Sequence, residues 1–121
     1  MECVQMGNGD TFKKGSVELI LLTLLREKDM YGYEMSQAIS DRSGGRITMS
    51  EGSLYVTLYR MIKEATITDR REIVGKRMRI YYSIEPSGME KLEKLREEYE
   101  RMATGIQEFL KTSDEIVNAK E

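Results

Sequence analysis

The sequence predicts a mainly helical, α+β chain in which three short helices are followed by a β-hairpin and then by one long helix. Three observations carry that expectation. Apolar residues recur at helical spacing in three blocks before residue 66. The period changes to two between 66 and 85. A heptad pattern takes over after Pro86. The 121 residues are enough for one domain with a modest core. A chain that is 40% hydrophobic and 33% charged fits a folded domain with long solvated helix faces.

Residues 1–11 are polar and rich in Gly and Asn, and are expected to form a flexible N-terminal arm. The first helix is expected to start near Ser16, a good N-cap, with Glu18 in the first turn favoured by the helix dipole. The run from Leu19 to Leu25 is apolar on most faces, so this helix should be central and buried. A second helix is expected from about Tyr31 to Arg42, apolar along Tyr31, Met35, Ala38 and Ile39, and stopped by Ser43-Gly44-Gly45. Arg46–Met49 is short and β-prone. A third helix should begin with Ser50 as N-cap and Glu51 in the first helical position. Its expected buried stripe is Leu54, Leu58, Met61, Ile62 and Ala65, and its outer face Ser53, Val56, Thr57, Arg60 and Lys63.

Residues 66–72 and 79–85 read as two strands, the second alternating Ile80, Tyr82 and Ile84 with Arg79, Tyr81 and Ser83. The link contains Gly75, Lys76 and Arg77, which makes a hairpin with a basic tip. Pro86 then opens the last helix. Leu92, Tyr99 and Ile106 are seven apart, as are Leu95, Met102, Phe109 and Ile116, offset by three. A lone helix cannot bury such a seam, so dimerisation through it is expected. Residues 12–85 are accordingly expected to form one domain, 86–117 a dimerisation helix and 118–121 a tail. This order of elements is that of a winged helix-turn-helix with a two-stranded wing and a long C-terminal dimerisation helix. In that architecture the third helix enters the major groove of DNA.

The net charge of −2 gives no support for a nucleic-acid partner by itself, but its distribution does. Between Arg60 and Tyr82 seven cations stand against three anions, whereas from Glu90 to Glu121 nine anions stand against six cations. Cys3 is the only cysteine and there is no histidine, so a disulfide scaffold and an imidazole-dependent triad are excluded, and a structural zinc site has almost no ligands to use. No metal, no cofactor and no enzymatic activity are expected. The longest apolar run is too short to span a bilayer, and residues 1–5 lack the pattern of a signal peptide, so the expected location is the cytoplasm.

Several stretches resemble the PadR-like family of regulators: Lys14-Gly15-Ser16-Val17-Glu18-Leu19, Tyr31-Gly32-Tyr33-Glu34, Ser50-Glu51-Gly52-Ser53-Leu54-Tyr55 with Leu58-Tyr59-Arg60-Met61, and Arg79-Ile80-Tyr81-Tyr82-Ser83-Ile84 with Gly88. They occur in the family's order over roughly residues 13–110. Glu51 and Val56 stand where that family usually carries prolines. The single-helix arm resembles the short subfamily. The resemblance implies a homodimeric, sequence-specific DNA-binding repressor, often released from DNA by a small aromatic or amphipathic compound. Its expected partners are double-stranded DNA carrying an inverted repeat, a second copy of itself and such an effector. The residues then expected at DNA are Lys14, Tyr31, Ser50, Ser53, Tyr55, Thr57, Arg60, Lys63, Lys76, Arg77 and Arg79. Those expected in the dimer seam are Leu92, Leu95, Tyr99, Met102, Ile106 and Phe109, the last four also lying nearest an effector. The alternative is a winged-helix protein-interaction module without DNA binding, which would not need both the Lys76-Arg77 tip and the Arg60-Lys63 helix face.

Overall fold

The computed structural model describes residues 4–6 and 11–120, with side chains from Gly15 onward. The elements are β1 (Val4–Met6), α1 (Thr11–Glu27), β2 (Met30–Tyr31), α2 (Gly32–Arg42), β3 (Ile47–Met49), α3 (Glu51–Lys63), β4 (Ile67–Val74), β5 (Arg77–Ile84) and α4 (Pro86–Ala119). The result is a winged-helix domain with a long terminal helix.

The core is built around α1, whose Val17, Leu21, Leu22, Leu24 and Leu25 are all buried. Met35 and Ile39 of α2, Leu54, Leu58 and Met61 of α3, Ile67, Tyr82 and Leu92 close over it from the other elements. An apolar run on nearly every face is what a helix covered on several sides requires. This helix starts at Thr11, five residues before the expected cap at Ser16. Gly15 in a helix interior costs only about 1 kcal/mol relative to Ala, too little to stop a helix whose following turns are buried. Glu18 is therefore not in the first turn, and its role is described below.

The α2 helix begins as expected. Tyr31 is the N-cap, and Glu34 Oε1 accepts a hydrogen bond from the Tyr31 amide at 3.3 Å. It ends in Gly44 and Gly45, both at positive φ. The α3 helix is capped by Ser50, whose hydroxyl accepts from the Ser53 amide at 3.3 Å. Its other end departs from expectation. Ala65 lies beyond the helix, exposed, with φ +61°. The Ala65 amide donates to Ile62 O (3.0 Å) and the Thr66 amide to Met61 O (3.1 Å). That pair of bonds is a Schellman closure, which normally has glycine at the left-handed position.

The wing strands pair antiparallel from Ile67↔Ile84 to Val74↔Arg77, leaving Gly75 and Lys76 as a two-residue loop. Gly75 has φ +66°, as a tight hairpin of this length demands. A third strand, β2, adds to β5 through Met30↔Tyr82 and Tyr31↔Tyr81, so the sheet has three strands rather than the two expected. Two residues are too few to show an alternating pattern. Of the expected N-terminal arm, Val4–Met6 forms a strand parallel to β3, while 1–3 and 7–10 lie outside the described residues. The α4 helix runs to Ala119, two residues past the expected end.

Candidate nucleic-acid interface

The outward face of α3 follows from which of its residues the core consumes. Leu54, Thr57, Leu58 and Met61 are buried, at the i, i+3, i+4, i+7 spacing of one helical stripe. Glu51, Gly52, Tyr55, Val56, Tyr59 and Lys63 are exposed, and Ser53 is half-buried. Lys63 Nζ lies 4.8 Å from the centre of the Tyr59 ring.

Two expected DNA contacts are corrected by this arrangement. Thr57 is only 1% exposed and its hydroxyl donates to Ser53 O at 2.9 Å, so it faces inward. It sits three residues after Leu54 and four before Met61, a placement that marks it as part of the buried stripe. Arg60 turns to the core as well. Its Nη2 donates to Glu18 Oε1 at 2.9 Å, and its side chain is 22% exposed. That partner is 42 residues away, beyond any local pattern. The available signal was Glu18 itself, a carboxylate immediately before the apolar run Leu19–Leu25, which calls for a cation once buried. Val56 lies on the outer face as expected, and Tyr59, missing from the residues expected there, joins it.

The structure brings Tyr31, Tyr55 and Arg79 together around the start of α2. The Arg79 guanidinium stacks over the Tyr31 ring at 4.3 Å, and Tyr31 meets Tyr81 edge-on at 5.5 Å. Arg70 covers Tyr81 at 5.3 Å and pairs with Asp29 at 2.6 Å and Glu72 at 2.9 Å. Tyr55 lies so close over Gly32 that a Cβ there would sit 2.8 Å from its hydroxyl. Ser50 and Ser53 stand at the α3 N-terminus, their hydroxyls 3.0 Å apart. Lys76 and Arg77 are exposed at the wing tip. The Lys14 side chain lies outside the described residues.

The seam residues of α4 divide into two groups. Leu92 is 1% exposed within the domain core and Leu95 packs against that core. Leu92 is thus consumed within its own chain, which corrects its assignment to a dimer seam. Tyr99, Met102, Ile106 and Phe109 are exposed, with Leu110, Ile116 and Val117. Leu110 and Val117, seven apart, widen the apolar stripe beyond the two columns expected. A cleft of about 170 Å³ between α1 and α4 is lined by Gly15, Ser16, Leu19, Leu95, Glu98, Tyr99 and Met102. It takes in two of the four residues expected near an effector, while Ile106 and Phe109 lie farther along the helix.

Among the described residues no cluster of potential metal ligands occurs, and no helix is long and apolar enough to cross a membrane. Four of the described groups are raised above their ordinary values: Arg70 by its hydrogen bonds to Glu72 and Asp29, Arg96 by its hydrogen bond to Glu100, and Lys91 and Tyr82. Burial alone would lower the Lys91 ammonium, but its hydrogen bonds to Glu18 and Glu64 reverse that and raise it above its ordinary value. Burial, with smaller contributions from Tyr55 and Asp69, raises the Tyr82 hydroxyl.

This arrangement has known counterparts. The transcriptional regulator PadR-like family matches residues 21–94. Uncharacterized protein X of Lysinibacillus sphaericus is 35% identical over 100 residues, which is 80% of this chain and 90% of that protein. A transcriptional regulator from Clostridium thermocellum superposes with a TM-score of 0.76 at 32% identity, covering 83% of this chain and 98% of that one. Bacillus subtilis PadR, solved in complex with operator DNA, superposes with a TM-score of 0.61 at 25% identity, over 65% of this chain and 45% of that longer protein. With the family match spanning the core from α1 into α4, and the relatives aligned over most of the chain, this protein belongs to the PadR-like family of transcriptional regulators.

Proposed function

We propose that the chain is a homodimeric, sequence-specific DNA-binding repressor that acts in the cytoplasm on an inverted-repeat operator. The observation that carries the reading is the uncovered outer face of α3, running from Gly52 through Tyr55, Val56 and Tyr59 to Lys63. It lies on the second helix of a helix-turn-helix and is followed by a wing with Lys76 and Arg77 at its tip. The operator complex of Bacillus subtilis PadR supports the choice of partner. In this reading Tyr55, Tyr59 and Ser53 meet base edges, while Lys76 and Arg77 meet phosphate or the minor groove. The exposed apolar stripe from Tyr99 to Val117 supports dimerisation. A two-fold dimer calls for half-sites about 34–36 Å apart or a multiple of that. The cleft between α1 and α4 is the proposed seat of a small aromatic or amphipathic effector that releases the repressor.

A mobility-shift assay with DNA from upstream of the protein's own gene tests this, with unrelated duplex as competitor. The expected result is a shift that resists competition, with a footprint symmetric about a two-fold. A shift abolished equally by any duplex would overturn sequence specificity. Absence of any shift at low salt would favour the interaction-module reading.

A further inference from the structure

Resting on the reading of α3 as the recognition helix and α4 as the dimer arm, we infer that Glu18, Arg60, Glu64 and Lys91 are positioning residues. They form a ring of four charges that fixes the recognition helix to the dimer arm and so sets the half-site spacing the protein accepts.

The ring joins three elements. Glu18 of α1 is almost fully buried, with its side chain 5% exposed. It accepts from Arg60 Nη2 of α3 at 2.9 Å and from Lys91 Nζ of α4 at 2.6 Å. Lys91 Nζ also pairs with Glu64 Oε2, on the residue that caps α3, at 2.8 Å. Glu64 Oε1 faces Arg60 Nε at 3.8 Å, which closes the ring, but too loosely for a hydrogen bond. Arg60 Nε is in fact buried with no hydrogen-bond partner. Acid and base alternate around the ring, and the two short contacts on Lys91 make it the keystone. Without it, two carboxylates would face each other with only Arg60 between them, one of them desolvated.

The backbone beside the ring is equally constrained. Ser87 Oγ donates to Ala65 O at 2.6 Å, and the Glu85 amide donates to Thr66 O at 2.9 Å. Thr66 Oγ1 donates to Met61 O at 3.1 Å. A Cβ at Gly88 would overlap the Thr66 carbonyl oxygen, so α4 rests directly on the turn that leaves α3. The end of α3 and the start of α4 therefore move as one piece. In a symmetric dimer, the distance between two recognition helices is the distance between two such pieces. A small tilt at the junction is carried along α3 to its N-terminus, where the DNA-facing residues are.

Two measurements test the inference. In a Cys3→Ser background, spin labels on Glu51→Cys and Lys94→Cys report the α3–α4 distance within one chain when labelled subunits are diluted with unlabelled ones. The parent should give one narrow distance. Lys91→Met should broaden or shift it, Glu18→Gln should do so to a lesser degree, and Lys91→Arg should restore it. Circular dichroism identifies any variant that fails to fold, in which case Glu18→Gln decides. Identical distances in parent and folded charge-removal variants would overturn the inference.

The second measurement uses duplexes from the footprinted operator with the spacer between half-sites altered in single-base-pair steps. The parent should prefer one spacer by about tenfold or more, the scale of a mismatched base pair. Lys91→Met should largely erase that preference while keeping its affinity for a duplex carrying one half-site. An unchanged spacer profile, or an equal loss on the single half-site, would overturn the positioning role. If the parent itself shows no operator preference, the proposed function fails, and the spin-label distances still decide the coupling.

Discussion

The two halves of α4 share one heptad but not one environment. In the first half Gly88 and Leu92 are buried, Lys91 is held by two carboxylates and Leu95 packs on the core. In the second half, from Arg96 onward, no residue is buried, and Phe109 is 79% exposed. Period alone says that a helix has a seam. It does not say whether the covering surface belongs to the same chain or to another. The first half shows an intramolecular seam, and the proposed dimer would cover the second.

That contrast can be broken from either side. Leu92→Ala should cost the domain about 2–5 kcal/mol, the usual range for emptying a fully buried leucine site, read as a lower urea midpoint. Ile106→Glu with Phe109→Glu should leave the fold of each chain intact yet yield monomers by light scattering, because charges in an apolar interface are left without partners. A dimer that survives the double change would exclude this stripe as the interface. On the DNA side, Lys76→Ala with Arg77→Ala should weaken operator and random duplex alike. The log–log salt dependence should flatten by about 0.9 for each phosphate no longer neutralised. Loss of operator preference alone would instead place the wing tip at base edges.

Alkaline pH probes the bonded region, where Lys91 and Tyr82 are both raised. Both are more readily protonated in the folded chain than in the unfolded one. Their contribution is therefore complete below their ordinary values of 10.5 and 10.0, and is lost as pH rises through the raised ones. Stability should fall in that range, and Tyr82→Phe should flatten the fall in urea midpoints measured against pH. The smallest effect is expected at Ala65→Gly. The left-handed conformation costs a non-glycine residue about 1–2 kcal/mol. Relief of that strain, less the extra chain entropy of glycine, should raise stability by about 1 kcal/mol or less.

The parts of the fold legible in the sequence are those with local causes. Ser50 caps α3 and Gly75 turns the wing because each acts on its immediate neighbours. Pro86 opens α4 for the same reason. What the sequence hides depends on distant partners. Ser16 looks like a cap until α1 is seen to start at Thr11, carried by the burial of the turns that follow Ser16. Arg60 looks like an outward cation until Glu18, on another helix, is seen to claim it. Thr57 is a different error: its position in the Leu54–Met61 stripe is readable, but its hydroxyl suggests a polar face. A buried threonine satisfied by the carbonyl four residues earlier needs no polar surroundings. The family resemblance locates the elements and the wing tip, but not which α3 side chains remain exposed once the core has taken its share.

Sedimentation of the protein on an operator duplex addresses the central claim, that α3 reads DNA in a dimer held by the distal half of α4. The wild-type chain should bind as two copies per duplex and discriminate against a scrambled duplex. Ile106→Glu with Phe109→Glu should bind one copy at a time with most of that discrimination lost. One wild-type copy per duplex, or equal binding to operator and scrambled DNA, would contradict the account.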